Sequence, residues 1–289
     1  MTHPITTPRM DLLATSYAER IARSASRSPS TRAHYVRMAE ASDRGRWSVE
    51  RDVRWTDVDV ERAHERPDLL AQLRTAALIE SYHPIHLGWM LDDCWNDVDA
   101  GVAIALELYE GFKHFHVLRS YLDAVGFEPA ITDAELIAIR ASARAMGPKG
   151  TLVERLVEFM LSEHLASYFF RRVGEQAPDP VLAELLALIA ADEVRHAQAA
   201  SDLLAARIAR DPGIVPAVLD AAVHFHHFGE QAVADVPVAL PGDPLAIRSF
   251  TRRIERLCGV RLVDHLKRQL TAAKASSAAA GKRSSGAWR

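Results

Sequence analysis

Ala190-Ala191-Asp192-Glu193-Val194-Arg195-His196 lies inside a run, Val181 to Arg210, in which apolar residues recur at helical spacing. Residues three apart share one face of a helix, so Glu193 and His196 point the same way. A carboxylate beside an imidazole suits iron, manganese or zinc. In helix bundles that hold two metal ions, Glu-x-x-His is a repeated unit, completed by single Glu residues from neighbouring helices. On an isolated surface helix the same pair would be ordinary solvated polar residues. Its reading therefore depends on partners elsewhere in the chain.

Those partners are present, in order. A helix is expected from Pro67 to Asp92, opened by Pro67 and Asp68, with Glu80 in its middle and His83, Pro84 and His86 just after. A second is expected from Gly101 to Val125, carrying Glu107, Glu110, His114 and His116. A third runs from Thr151 to Glu175, opened by the Thr151/Glu154 capping pattern and holding Glu163 and His164. The fourth holds Glu193 and His196. The series is Glu80, then Glu110 with His114, then Glu163, then Glu193 with His196. Buried carboxylates are expensive unless paired or metal-bound, so two bridged ions explain all six as metal ligands. His83, three after Glu80, is a candidate extra ligand. Asp192 and Arg195 flank the fourth-helix ligands and are expected to orient the histidines by hydrogen bonds.

One position breaks the pattern. Glu110 stands four residues before His114, and Gly111 occupies the three-residue spacing. A one-residue bulge would bring Glu110 back to the centre. A regular helix would turn it away by about 100° and leave Glu107, a turn earlier, as substitute ligand or as a partner of one.

The long connection Gly126 to Gly150 carries a short helix, Asp133 to Ala145, and ends in the breaker Gly147-Pro148-Lys149-Gly150. A long crossover between the second and third helices, with an all-α pattern throughout, describes a ferritin-like four-helix bundle. After Asp211-Pro212-Gly213, further helices are expected over Ile214 to Ala234, Asp243 to Cys258 and Val260 to Ala273. His224, His226 and His227 read as a polar patch on a packing helix. The domain division is a polar lead-in over 1–66, packed on the bundle through Trp47 and Trp55, the helical domain over 67–271, and a disordered tail over 272–289. Within the lead-in, Leu12 to Ala25 is a weak helix candidate.

Composition bounds the function. The 289 residues carry a net charge of −3, too balanced for a dedicated nucleic-acid binder. No apolar run reaches spanning length, and no leader pattern opens the chain. Two cysteines, Cys94 and Cys258, make no disulfide framework and suit a reducing cytoplasm.

The fourth helix and its surroundings resemble the acyl-[acyl-carrier-protein] desaturases, a family of ferritin-like di-iron oxidases. The resemblance covers roughly residues 68 to 270. It is carried by Ala190 to His196, the Asp211-Pro212 turn, Leu257-Cys258-Gly259-Val260, Glu80 shortly before Pro84, Glu110 to His114 with Leu118 and Tyr121-Leu122, and the lone Glu163. The chain departs from the family pattern at Gly111, at Lys113 for an arginine, and at Ala166 for a threonine. The resemblance implies two iron ions, with manganese an option in one position. It also implies O2 as co-substrate, an external ferredoxin-like electron donor, a homodimer, and an acyl chain on a carrier protein as substrate. Arg248, Arg252, Arg253 and Arg256 on a late helix are the candidate dock for an acidic carrier. The alternatives are a di-iron hydroxylase or N-oxygenase acting on a small molecule, and a ferritin-like metal-binding or metal-free protein without oxygenase activity.

Overall fold

The computed structural model describes residues 32–227, 229, 233 and 244–271. All regular structure among them is helical, as expected, and no strand occurs. The elements are α1 (Arg32–Arg44), a 3-10 turn (Trp55–Asp57), α2 (Val60–Ala63), α3 (Pro67–Asp93), α4 (Val98–Ala124), α5 (Asp133–Met146), α6 (Leu152–Gln176), α7 (Pro180–Arg210), a second 3-10 turn (Pro212–Ile214), α8 (Val215–Val223), α9 (Pro244–Cys258) and α10 (262–271). The expected helix over Leu12 to Ala25 and the tail beyond residue 271 lie outside the described residues.

Four long helices form the body. α3 packs along α4 and α6 along α7, while α4 meets α7 and α3 meets α6, which closes a ring. Their ends are set by local chemistry. Thr151 accepts a hydrogen bond from the Glu154 amide at 3.4 Å and Glu154 accepts one from the Thr151 amide at 2.6 Å, the reciprocal cap that the sequence announced. Asp179 caps α7 by accepting from the Val181 amide at 3.1 Å, with Pro180 in the first helical position. The same buried carboxylate accepts from the Tyr121 hydroxyl of α4 at 2.7 Å, so one acid fixes both a helix start and a helix pair. Along α7 the buried positions Leu182, Leu185, Leu186, Ile189, Glu193, His196, Ala200 and Leu203 follow the helical repeat, so its apolar stripe delivers Glu193 and His196 to the interior.

Pro84 lies inside α3 and lacks an amide hydrogen, so the carbonyl four residues earlier, that of Glu80, has no helical donor. α5 lies on α3 within the crossover, and α8 and α9 cover α6. His265 of α10 meets Asp220 of α8 at 2.6 Å. The helix expected from Ile214 to Ala234 is shorter than that: α8 stops at Val223, and His224 turns its Nδ1 to the Asp220 carbonyl at 2.9 Å.

The lead-in holds a helix that its polar sequence did not announce. α1 packs against both α4 and α7, with Met38 buried between Ala103 and Ala199. None of the described helices is long and apolar enough to cross a membrane.

Candidate metal centre

Glu80, His83, Glu107, Glu110, His114, Glu163, Asp192, Glu193 and His196 are all buried at the middle of the four long helices. The contacts run as a chain. Glu80 Oε2 is 3.2 Å from His83 Nδ1, and His83 Nε2 is 3.6 Å from Glu163 Oε1. Glu163 Oε2 is 3.5 Å from His196 Nδ1, which also meets Glu193 Oε2 at 2.9 Å. Glu193 Oε1 is 3.0 Å from His114 Nδ1. His114, Glu193 and His196 place one ligand atom each within 4.8 Å of one another, as atoms that share an ion must.

The two histidines are presented alike. Each turns Nδ1 toward Glu193 and Nε2 toward a second carboxylate: His114 Nε2 to Asp192 at 3.0 Å, His196 Nε2 to Glu110 at 2.9 Å. Arg195 joins those two acids, reaching Asp192 at 2.7 Å and both oxygens of Glu110 at 3.2 and 3.1 Å. A carboxylate behind a ligand histidine fixes its tautomer and raises its basicity. Here one guanidinium anchors both such carboxylates.

Glu110 is therefore placed otherwise than expected. α4 is a regular α-helix through Glu110 to His114, without a π-type turn. The one-residue offset rotates the Glu110 carboxylate behind His196, where Ser42 also donates to it. Glu107, a turn earlier, has a buried Oε2 without a hydrogen-bond partner.

The lead-in supplies an outer layer that was not read from the sequence. Trp47 donates from Nε1 to Asp192 Oδ2 at 2.9 Å and stacks over His114 with ring centroids 6.4 Å apart. Lys113 meets the same Asp192 oxygen at 2.9 Å and lies 4.1 Å above the Trp47 ring. A Cβ at Gly45 would stand 3.0 Å from Arg195, so glycine there leaves room for the guanidinium.

The donor set fits a cationic group. His114 Nδ1 and Glu193 Oε1 approach to 3.0 Å as an ion pair, with an angle poor for a hydrogen bond. Glu107 Oε2 has no hydrogen-bond partner, and Glu163 Oε2 has only the 3.5 Å approach of His196 Nδ1. Buried polar atoms are rarely left so. Atoms bonded to one ion at about 2.1 Å lie roughly 3.0 to 3.5 Å apart, which is the spacing observed.

Electrostatics agree. Burial pushes the Glu107 carboxyl up to about 8, against the attraction of His196. Burial and the neighbouring charge of Glu193 hold Glu163 well above the usual carboxylate range. Burial works against Glu193 as well, but the charge of His114 keeps it well below that range. For His114, burial is outweighed by the charge of Glu193 and the bond to Asp192, and its pKa rises to about 9. Without a cation the cluster must hold protons, and a bound ion would release them.

Comparison with protein-family models and with curated proteins finds no match. The functional reading therefore rests on the residues.

The other expected features fall outside this cluster or only partly on it. His164 packs on Tyr168, away from the centre, and burial lowers its pKa to about 4. His227 is half-buried, and burial together with the charge of His83 lowers its pKa to about 4. Arg248, Arg252 and Arg256 are exposed on α9, but Arg253 turns inward and donates to the Ala197 carbonyl at 3.2 Å. It fastens α9 to α7 and is unavailable to a docking partner.

Proposed function

We propose that the chain is a ferritin-like oxidoreductase that holds two iron ions between α3, α4, α6 and α7 and uses O2 to oxidise an unactivated C–H group. Supporting this reading is the convergence of buried carboxylates and imidazoles from four helices. The observation that carries it is the buried group His114, Glu193 and His196, one ligand atom of each lying within 4.8 Å of the others. Glu80, His114, Glu163, Glu193 and His196 would hold the ions. Iron in such a site supplies the one-electron and O2 chemistry that no side chain can.

The remaining residues have protein roles. Asp192 and Glu110 accept at Nε2 of the two histidines, so in both rings Nδ1 would be the atom offered to an ion beside Glu193. Arg195 ties those two acids together, while His196 and His114 do most to keep Glu110 and Asp192 ionised. Phe159, edge-on to His83 at 5.5 Å, and the buried leucines of α3 and α7 keep bulk water out. An acyl chain, carried by an acidic protein that docks on Arg248, Arg252 and Arg256, is the substrate favoured by the family resemblance. The electrons would come from a ferredoxin-like donor.

A mononuclear centre is the second reading, favoured by the compact His114, Glu193, His196 group. Two histidines and one carboxylate are the ligand set of mononuclear non-haem iron oxygenases. Anaerobic loading with ferrous ion followed by elemental analysis separates the two. Two ions per chain, lost in Glu193→Ala and His196→Ala, is the expected result. One ion selects the mononuclear centre, and no uptake overturns both.

A further inference from the structure

α4 lacks an inward carboxylate at position 111, and the space is filled from another helix. A residue three before His114 shares its face and points toward the centre. A Cβ built on Gly111 would stand 2.6 Å from His83 Nδ1, 3.0 Å from its Cγ and 3.1 Å from its Cε1. These are atoms near the root of a rigid ring, so no side chain can be added there unless His83 moves. The imidazole of α3 thus lies in the volume from which a position-111 side chain would start.

The ring is placed among the ligands as well. Its Nδ1 is 3.2 Å from Glu80 Oε2 and its Nε2 is 3.6 Å from Glu163 Oε1, so it spans the carboxylates of the two helices that bring a single Glu each. The closer approach falls within the separation of roughly 3.0 to 3.5 Å expected for two atoms on one ion, and the other is just beyond it. Phe159 stands edge-on to the ring at 5.5 Å and fixes its plane.

We infer that His83 is a metal ligand that replaces the carboxylate missing from α4, and that Gly111 is glycine because this ring needs its space. The inference rests on the metal-binding reading above. It makes the centre one of three carboxylates (Glu80, Glu163, Glu193) and three imidazoles (His83, His114, His196). Replacing a carboxylate by a neutral imidazole shifts preference from manganese toward later first-row ions.

Cobalt(II) added to the full chain, with histidine labelled by nitrogen-15, tests it by counting imidazole N–H resonances shifted by the paramagnetic ion. Three are expected in the wild type and two in His83→Gln, with affinity for the ion that loses the ligand falling at least tenfold. Gly111→Ala keeps every polar group and tests the same point should His83→Gln fail to fold. It should displace or abolish the His83 resonance while those of His114 and His196 persist. Bound cobalt with two shifted resonances, unchanged in His83→Gln, would overturn the assignment of His83 and leave the metal reading standing. Three resonances unchanged by Gly111→Ala would overturn the role given to the glycine. No cobalt uptake would overturn this inference and the metal reading together.

Discussion

Replacing Arg195 by methionine removes the cation that joins Asp192 and Glu110 while keeping most of the side chain's packing. Its loss strands two buried acids, since it reaches Asp192 at 2.7 Å and Glu110 at 3.1 Å. Breaking a buried ion pair from one side commonly costs about 3 to 5 kcal/mol. The low end applies, because Asp192 keeps Lys113, Trp47 and His114, and Glu110 keeps Ser42 and His196. Part of the guanidinium also reaches solvent, with 19% of its side chain exposed. The expected loss in the metal-free protein is therefore about 3 kcal/mol, which lowers the melting temperature by about 6 to 12 °C for a domain of this size. Urea denaturation of wild type and variant reads the first figure and calorimetry the second. Both histidines also lose their fixed backing, so affinity for a first-row divalent ion should fall about 10- to 100-fold. Arg195→Lys should recover only part of each loss, because a single ammonium cannot serve two separate carboxylates as a planar fork does. A loss below about 1 kcal/mol in Arg195→Met, within the range of an exposed pair, would refute the idea that this guanidinium holds the site's outer layer.

Glu107→Gln should stabilise the metal-free protein at alkaline pH. The Glu107 pKa, raised by burial to about 8, exceeds its ordinary value. The folded state thus binds the proton more tightly, and stability falls as pH rises from about 4.5 to 8. The variant should lose less stability than wild type between pH 5 and pH 8, by on the order of 2 kcal/mol or more in urea titrations. Glu110 works in the opposite sense at acid pH. Burial is overcome there by the bonds from His196 and Ser42, which hold it at about 2, so its contribution is present above about pH 4.5 and is lost as pH falls toward 2. Glu110→Gln should flatten that acid limb. Asp179→Ala removes a helix cap and the Tyr121 partner together, and should cost about 2 to 3 kcal/mol by equilibrium unfolding. Leu186→Ala, at a fully buried position of α7, should cost about 2 to 5 kcal/mol in the same assay.

Much of the body of this fold was legible because helix starts and apolar stripes are local signals. Pro67, the Thr151/Glu154 box and the apolar run from Val181 mark three of the four long helices to within a residue or two. That Glu193 and His196 share a face follows from their spacing, and their place at the centre from the carboxylates of the other three helices. α1 was missed because its large apolar residues, Tyr35, Val36 and Met38, cluster in one short stretch and make no sustained stripe. Its contacts with α4 and α7 hold it, and tertiary packing overrides propensity there. Glu110 shows how fine the margin is: one residue along α4 turns a carboxylate from the centre to the back of His196. The fit of Gly111 to His83 is a contact between helices, and no spacing within either helix reports it. The helix expected to Ala234 was drawn too long because the periodic run continues past Val223, where the helix stops.

The Trp47–Asp192 contact joins residues 145 positions apart, and the Ser42–Glu110 contact joins residues 68 apart. Drawing ends that distant together in an unfolded chain costs ~4 kcal/mol of loop entropy for the longer contact. A single indole hydrogen bond, worth roughly 1.5 to 3 kcal/mol when it meets a charged acceptor, does not offset that by itself. The latch that Trp47 and Ser42 provide can close only on helices already assembled, after their own contacts have shortened the span. It should therefore form after the four helices pack and open before they part, an order that Trp47 fluorescence in stopped-flow refolding would read. The segment around Ser42 and Trp47 then closes over histidines that Asp192, Glu110 and Arg195 have already aimed.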